Sequence, residues 1–115
     1  MPQHRINRIN EEVKKELSKV IATLKDPRIP DFITVTNVLV TGDLKFAKAY
    51  VSVMGSEQEK NEAIKGLTSA KSFVRKEIGD RLKLRQTPDF TFIIDSGMEH
   101  GAKINELLSK INSEN

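Results

Sequence analysis

The sequence predicts an α+β fold, a single domain with helices on one face of a three-stranded mixed sheet. Three observations carry that expectation. Apolar residues recur at steps of three and four from Ile6 to Leu24, the period of a helix buried on one side. A β-branched run, Ile33 to Val40, is followed by alternation of Ala47, Ala49, Val51 and Val53 with Lys48, Tyr50 and Ser52. That is the period of paired, half-buried strands. Two Ser-x-x-Glu patterns, at Ser56 and Ser96, each precede a further helical spacing. The chain of 115 residues is long enough for one domain with a real core.

Taken in order, Ile6, Ile9, Val13, Leu17, Val20, Ile21 and Leu24 define a first helix over roughly residues 3–25. Asp26-Pro27-Arg28 ends it, since proline disfavours helical geometry before it and lacks an amide. In Ile33–Val40, Ile33 and Val35 share one parity while Val38 and Val40 have the other. The switch at Asn37 predicts a bulge or burial on both faces. Thr41-Gly42-Asp43 reads as a hairpin turn. The second strand, near Phe46–Met54, has a small apolar face that lets helices approach. Its other face carries Lys48 and Tyr50, which either contact a ligand or are simply solvated.

Ser56-x-x-Glu59 is a capping-box pattern, opening a helix whose buried side is Ala63, Ile64, Leu67 and Ala70. The spacing continues through Val74 and Ile78. Gly66 and the run Ser69 to Ser72 weaken helix propensity, so a kink or break is expected near Ala70. Thr87-Pro88 begins the last strand, with Phe90, Phe92 and Ile94 on one face. After Ser96, the residues Ile104, Leu107, Leu108 and Ile111 predict a terminal helix. Residues 112–115 read as a frayed end. The first two strands should be antiparallel, and the third parallel to the second after a helical crossover. Phe73, Phe90 and Phe92 are read as core rather than base-stacking platforms.

Charge is concentrated. Between residues 71 and 85, six cations (Lys71, Arg75, Lys76, Arg81, Lys83, Arg85) face two acids, Glu77 and Asp80. This stretch is net +4 while the whole chain is +3, so the remainder sums to −1. On a helix, Lys71, Ser72, Arg75, Lys76 and Gly79 share one arc, and Leu67, Ala70, Val74 and Ile78 the opposite one. Such a helix can dock on a core and present cations to a polyanion; equally, it can be a solvated face. Arg5 and Arg8 on the first helix have no acidic neighbour before Glu11. We take Arg5, Arg8, Lys71, Arg75, Lys76, Lys83 and Arg85 as the candidate residues for binding a polyanion such as a nucleic acid.

Other chemistry finds little support. The chain has no cysteine, which removes disulfides, thiol nucleophiles and zinc-finger sites. Its two histidines, His4 and His100, read as surface residues. The acids near His100 read as partners of a helix dipole. No Gly-rich phosphate loop or metal-ligand spacing is present, and no enzyme activity, cofactor or metal is expected. The N-terminus is polar, and no apolar run approaches the ~20 residues that span a bilayer. A cytoplasmic protein is expected.

Specific segments go further. They are Arg5 to Ile9, Asp26-Pro27-Arg28, Val35 to Val40, Gly42-Asp43-Leu44, Ala47 to Ser52, Ala70 to Arg75, Leu82 to Arg85, Pro88 to Phe92, Asp95, and Glu99-x-Gly101 before Leu107-Leu108. In this order the chain resembles the ribosome-binding factor A family, bacterial small-subunit assembly factors with a type II KH-like fold, α-β-β-α-α-β. The resemblance covers nearly the whole chain. It implies a KH-like domain over residues 1–111 with a kinked central helix pair and a C-terminal helix. Where KH domains carry Gly-x-x-Gly, this family has an Ala-x-Gly kink. Here the kink motif is Ala70, Lys71 and Ser72, with serine where glycine is common. Gly97 stands where serine is common, leaving Ser96 as the cap. The sequence has no long basic tail of the kind some relatives carry, so no tail-dependent contact is expected.

The resemblance further implies binding to the free small (30S) ribosomal subunit and its 16S rRNA during late maturation and rRNA processing. It implies a monomer acting much as an RNA chaperone does, with cold adaptation a family theme. An assembly GTPase is a further partner to consider. The alternatives are a protein-interaction module docking on a ribosomal protein or GTPase, and a generic KH-like RNA binder.

Overall fold

The computed structural model describes residues 3–95, and the predicted terminal helix lies outside them. The described elements are α1 (Gln3–Ala22), β1 (Thr34–Val40), β2 (Phe46–Ser52), α2 (Glu57–Ser69), α3 (Lys71–Leu82) and β3 (Asp89–Ile94). The α-β-β-α-α-β order is the expected one. Helix α1 closes earlier than the apolar spacing suggests. Thr23 and Leu24 donate to the carbonyls of Val20 and Ile21, each at 3.0 Å, tightening the last turn before Pro27.

The sheet runs β1-β2-β3, with β2 central, antiparallel to β1 and parallel to β3. The register shifts between Val35 and Asn37, so the parity switch in the sequence is a bulge. The bulge lets Val35, Val38 and Val40 all reach the same buried side. The hairpin is tighter in chemistry than its glycine suggests. Asp43 Oδ1 accepts from the Thr41 hydroxyl (2.6 Å) and the Lys45 amide (3.0 Å). The left-handed residue is Leu44 at φ 62°, not Gly42.

Ala47, Ala49, Val51 and Val53 are buried beneath the helices together with Val13, Leu17, Val20, Ala63, Leu67, Val74, Ile78, Phe90 and Phe92. Helix α1 packs on β1 and α3, and α2 packs on β3. The Asn10 side chain accepts from the Val40 amide at 2.8 Å, satisfying one donor of an edge strand. Phe73 corrects the sequence reading. It is 47% exposed, because Val74 and Ile78 take the buried stripe of α3 and Phe73 sits about 100° round the helix from it.

The crossover from β2 to β3 is one helical hairpin bent at Ala70. Ser56 caps α2 through a complete capping box: Glu59 N–H donates to the Ser56 hydroxyl and Ser56 N–H to the Glu59 carboxylate, each at 3.1 Å. Ala70, at φ −90° and ψ 4°, ends α2 and begins α3. Gly66 is buried against the α1–β1 connection. A Cβ there would lie 2.8 Å from Ile29 Cγ1 and 3.3 Å from Arg28 Cβ.

Candidate nucleic-acid interface

Helix α3 begins and ends without ordinary caps. Ala70 supplies no side-chain hydrogen bond to its first turn, which holds no acid. Its C-cap is Lys83, a left-handed residue at φ 52° whose amide donates to the Gly79 carbonyl. What seats the helix is its buried stripe, Val74 and Ile78, and its contact with the segment leading into β3. A Cβ on Gly79 would stand 2.5 Å from Thr87 Oγ1. Gly79 therefore faces that segment from the same arc as Ser72 and Arg75. One turn earlier, Arg75 Nε donates to the Thr87 carbonyl at 3.1 Å.

This packing brings Ser72, Arg75, Lys76, Arg85, Gln86 and Thr87 around an open depression of about 470 Å³. Three cations line it with no acid among them. Lys76 and Arg85 are exposed and make no ion pair with any described residue. Arg75 is oriented by its carbonyl partner through Nε, which leaves its two terminal nitrogens for an oxyanion. A guanidinium held in this way suits the two-pronged binding of phosphate.

The remaining predicted residues divide. Lys71 Nζ stands 3.0 Å from Asp89 Oδ1. That oxygen is buried and receives no hydrogen bond of good geometry, so the contact is Coulombic and ties the kink to the start of β3. Lys83 is exposed, caps α3 through its backbone amide alone, and does not line the depression. Arg5 and Arg8 are exposed on the first turns of α1 and do not line the depression; Arg8 reaches Glu12 at 3.4 Å. Arg81 bridges α3 to Glu16 of α1 at 3.5 Å and to Glu77 at 3.9 Å. Within the kink motif, Ala70 is partly buried and Ser72 lines the depression.

Sequence reasoning missed Gln86 and Thr87. They lie in a polar connector, and only the fold of that connector against Gly79 brings them to the cations. Lys48 and Tyr50 lie on the sheet face away from the helices, opposite Thr91 and Ile93 of β3, and do not line the depression. Among the described residues, no group of three or more His, Cys, Asp or Glu side chains is placed to hold a metal. None of the described helices is long and apolar enough to cross a membrane.

The chain is similar to known proteins over nearly its whole length. Residues 5–108 match the family described as ribosome-binding factor A. A protein of that name from Caldanaerobacter subterraneus is 49% identical over 113 residues, covering 97% of this chain and 93% of the relative. One from Brevibacillus brevis is 50% identical over 115 residues, covering 99% and 94%. Among solved structures, a Thermotoga maritima protein is similar at a TM-score of 0.75 and 34% identity, covering 84% of this chain and 92% of that one. A homology model of the Thermus thermophilus ribosome-binding factor A, as fitted into a cryo-EM map of its complex with the 30S subunit, is similar at a TM-score of 0.62 and 26% identity, covering 73% of this chain and 88% of that one.

Proposed function

The chain belongs to the ribosome-binding factor A family, and from that premise we propose that it binds the free small ribosomal subunit through 16S rRNA during late maturation and rRNA processing. The observation that carries this is the acid-free depression of Ser72, Arg75, Lys76 and Arg85, within a stretch, residues 71–85, outside which the chain sums to −1. The similar Thermus protein, fitted into its 30S complex, supports the same reading. In this proposal the cations contact phosphates, which position the protein without reading sequence. Specificity comes from RNA shape and neighbouring ribosomal proteins. Lys71, Lys83, Arg5 and Arg8 supply long-range attraction at the margins. The chain works as a cytoplasmic monomer of KH-like type, performs no chemistry of its own, and has an assembly GTPase among its partners. Support for growth in the cold belongs to the same reading.

The test is sedimentation of the chain with purified 30S subunits. Reversing Arg75, Lys76 and Arg85 to glutamate should weaken association on the order of a hundredfold or more, with circular dichroism unchanged. Neutralising one contact at a time should flatten the logarithmic salt dependence by roughly 0.7–0.9 per phosphate lost. If the folded triple variant still sediments as wild type does, the basic helix is only a solvated face.

A further inference from the structure

At the far end of α2 from the kink lies a groove of about 520 Å³. Its walls are Pro27 and Pro30 from the α1–β1 connection, Val53 and Met54 from the end of β2, and Glu59 and Glu62 from α2. Met54 is 83% exposed and Phe32 82% exposed, the highest values among the exposed large hydrophobics. Phe32 stands two residues before β1 and Met54 two residues after β2, where Thr34 pairs with Ser52, so both lie near the open end of the hairpin; Met54 lines the groove and Phe32 does not. Two prolines give the floor a preset backbone, and an exposed methionine is a side chain that can repack against a visitor. Two such residues at one end of a hairpin, beside an open groove, point to a docking surface.

The charge of this groove is opposite to that of the depression on α3. Its one lining cation, Arg28, is consumed by Asp26 through two hydrogen bonds of 3.0 and 2.7 Å. Glu59 has no cationic partner among the described residues, and Glu62 has the exposed Lys65 at 3.5 Å and a longer-range attraction to Arg28. Phosphates would meet two carboxylates here, which opposes RNA. A cationic chain with an apolar side chain meets complementary charge and an apolar floor. Proteins that associate with nucleic acid carry such basic arms.

We propose that this groove docks a lysine- or arginine-rich segment of a protein partner, its apolar side chain on Met54, Pro27 and Pro30 and its cations toward Glu59 and Glu62. The inference concerns a different surface from the rRNA-binding reading and does not depend on it.

The full chain is panned against a displayed random-peptide library, and selected peptides are titrated into the isotope-labelled chain. Selected peptides should be basic with one large aliphatic or aromatic residue. They should shift the amides of Phe32, Met54, Gln58 and Glu62 while leaving Arg75 and Lys76 still. Met54→Ala and Glu62→Lys should each weaken binding about tenfold or more. The proposal falls if selected peptides lack a basic bias, or if both variants bind as wild type does. It falls equally if polyuridylate moves the groove amides, which would make this an RNA surface. It also falls if the groove amides respond to dilution of the chain alone, which would make it a contact between copies.

Discussion

Helices α2 and α3 meet at Ala70 and are built on different principles. Helix α2 obeys local rules: a reciprocal capping box, Glu57 and Glu59 in its first turn where a helix dipole favours acids, and a glycine that admits the neighbouring loop. Helix α3 breaks them. It starts on Lys71 with no side-chain cap and ends on a lysine in a left-handed conformation. Its place is set by Val74, Ile78 and the connector at Thr87. The contrast shows where selection has spent local stability. The half that presents cations cannot place acids in its first turn without cancelling its own field, so it relies on tertiary packing.

The contrast is tested most severely at the two glycines. Gly66→Ala should destabilise the fold by about 1–3 kcal/mol through overpacking against Ile29 and Arg28, more than the ~1 kcal/mol gained in helix propensity. Gly79→Ala meets a single threonine side chain in a connector, so its cost should be smaller. Urea titration of both variants orders them; equal losses would break the comparison. Next in size, Ser56→Ala should cost about 1 kcal/mol in the same assay while leaving 30S binding intact.

Lys83→Gly works the other way. Relieving the left-handed lysine should raise stability by up to about 1 kcal/mol, since the strain of such a conformation exceeds the entropy a glycine loses. The same change should weaken 30S binding slightly at low salt. A melting temperature below wild type would show that Lys83 has a packing role.

The smallest effect is acid sensitivity beside α2. A hydrogen bond from the Arg28 side chain, with a second from its backbone amide, holds the Asp26 carboxyl down to about 2 from its ordinary 3.8. A depressed folded value means the stabilisation is full above the ordinary value and fades as pH falls from 3.8 toward 2. The pair is partly exposed and the effect small. The melting-temperature gap between wild type and Asp26→Asn should close across that window; a gap that stays constant would remove the ion pair from the account.

How much of this was legible depended on range. The α2 cap and the break at Ala70 are written in adjacent residues and read directly; the parity switch at Asn37 left a bulge and two-sided burial open, and the pairing with β2 decides for the bulge. The cluster of Arg75, Lys76 and Arg85 was visible as charge. What could not be read were contacts made between elements. Gly66 looked like a weak helix former, because the approach of Ile29 is set by the α1–β1 connection. Lys71 looked free, because its partner Asp89 lies in β3, beyond the end of its own helix. Phe73 looked like core, because composition does not say which of two adjacent residues takes a two-position stripe.

The position of β2 has a consequence for timing. Strands β1 and β2 are neighbours in sequence and can pair through a short loop as soon as both exist. Pairing of β2 with β3 joins Phe46 to Asp89 across the whole helical crossover from Ser52 to Asp89, a longer loop whose closure is expected to follow that of the hairpin. The cationic depression uses Arg85, Gln86 and Thr87, the residues that lead into β3. It is therefore assembled by the last pairing event, and a chain arrested at the hairpin has no such surface. Pulse-labelled hydrogen exchange should show β3 amides protected after those of β1. In the rRNA-binding reading proposed above, an incompletely folded chain would then lack its contact with the subunit.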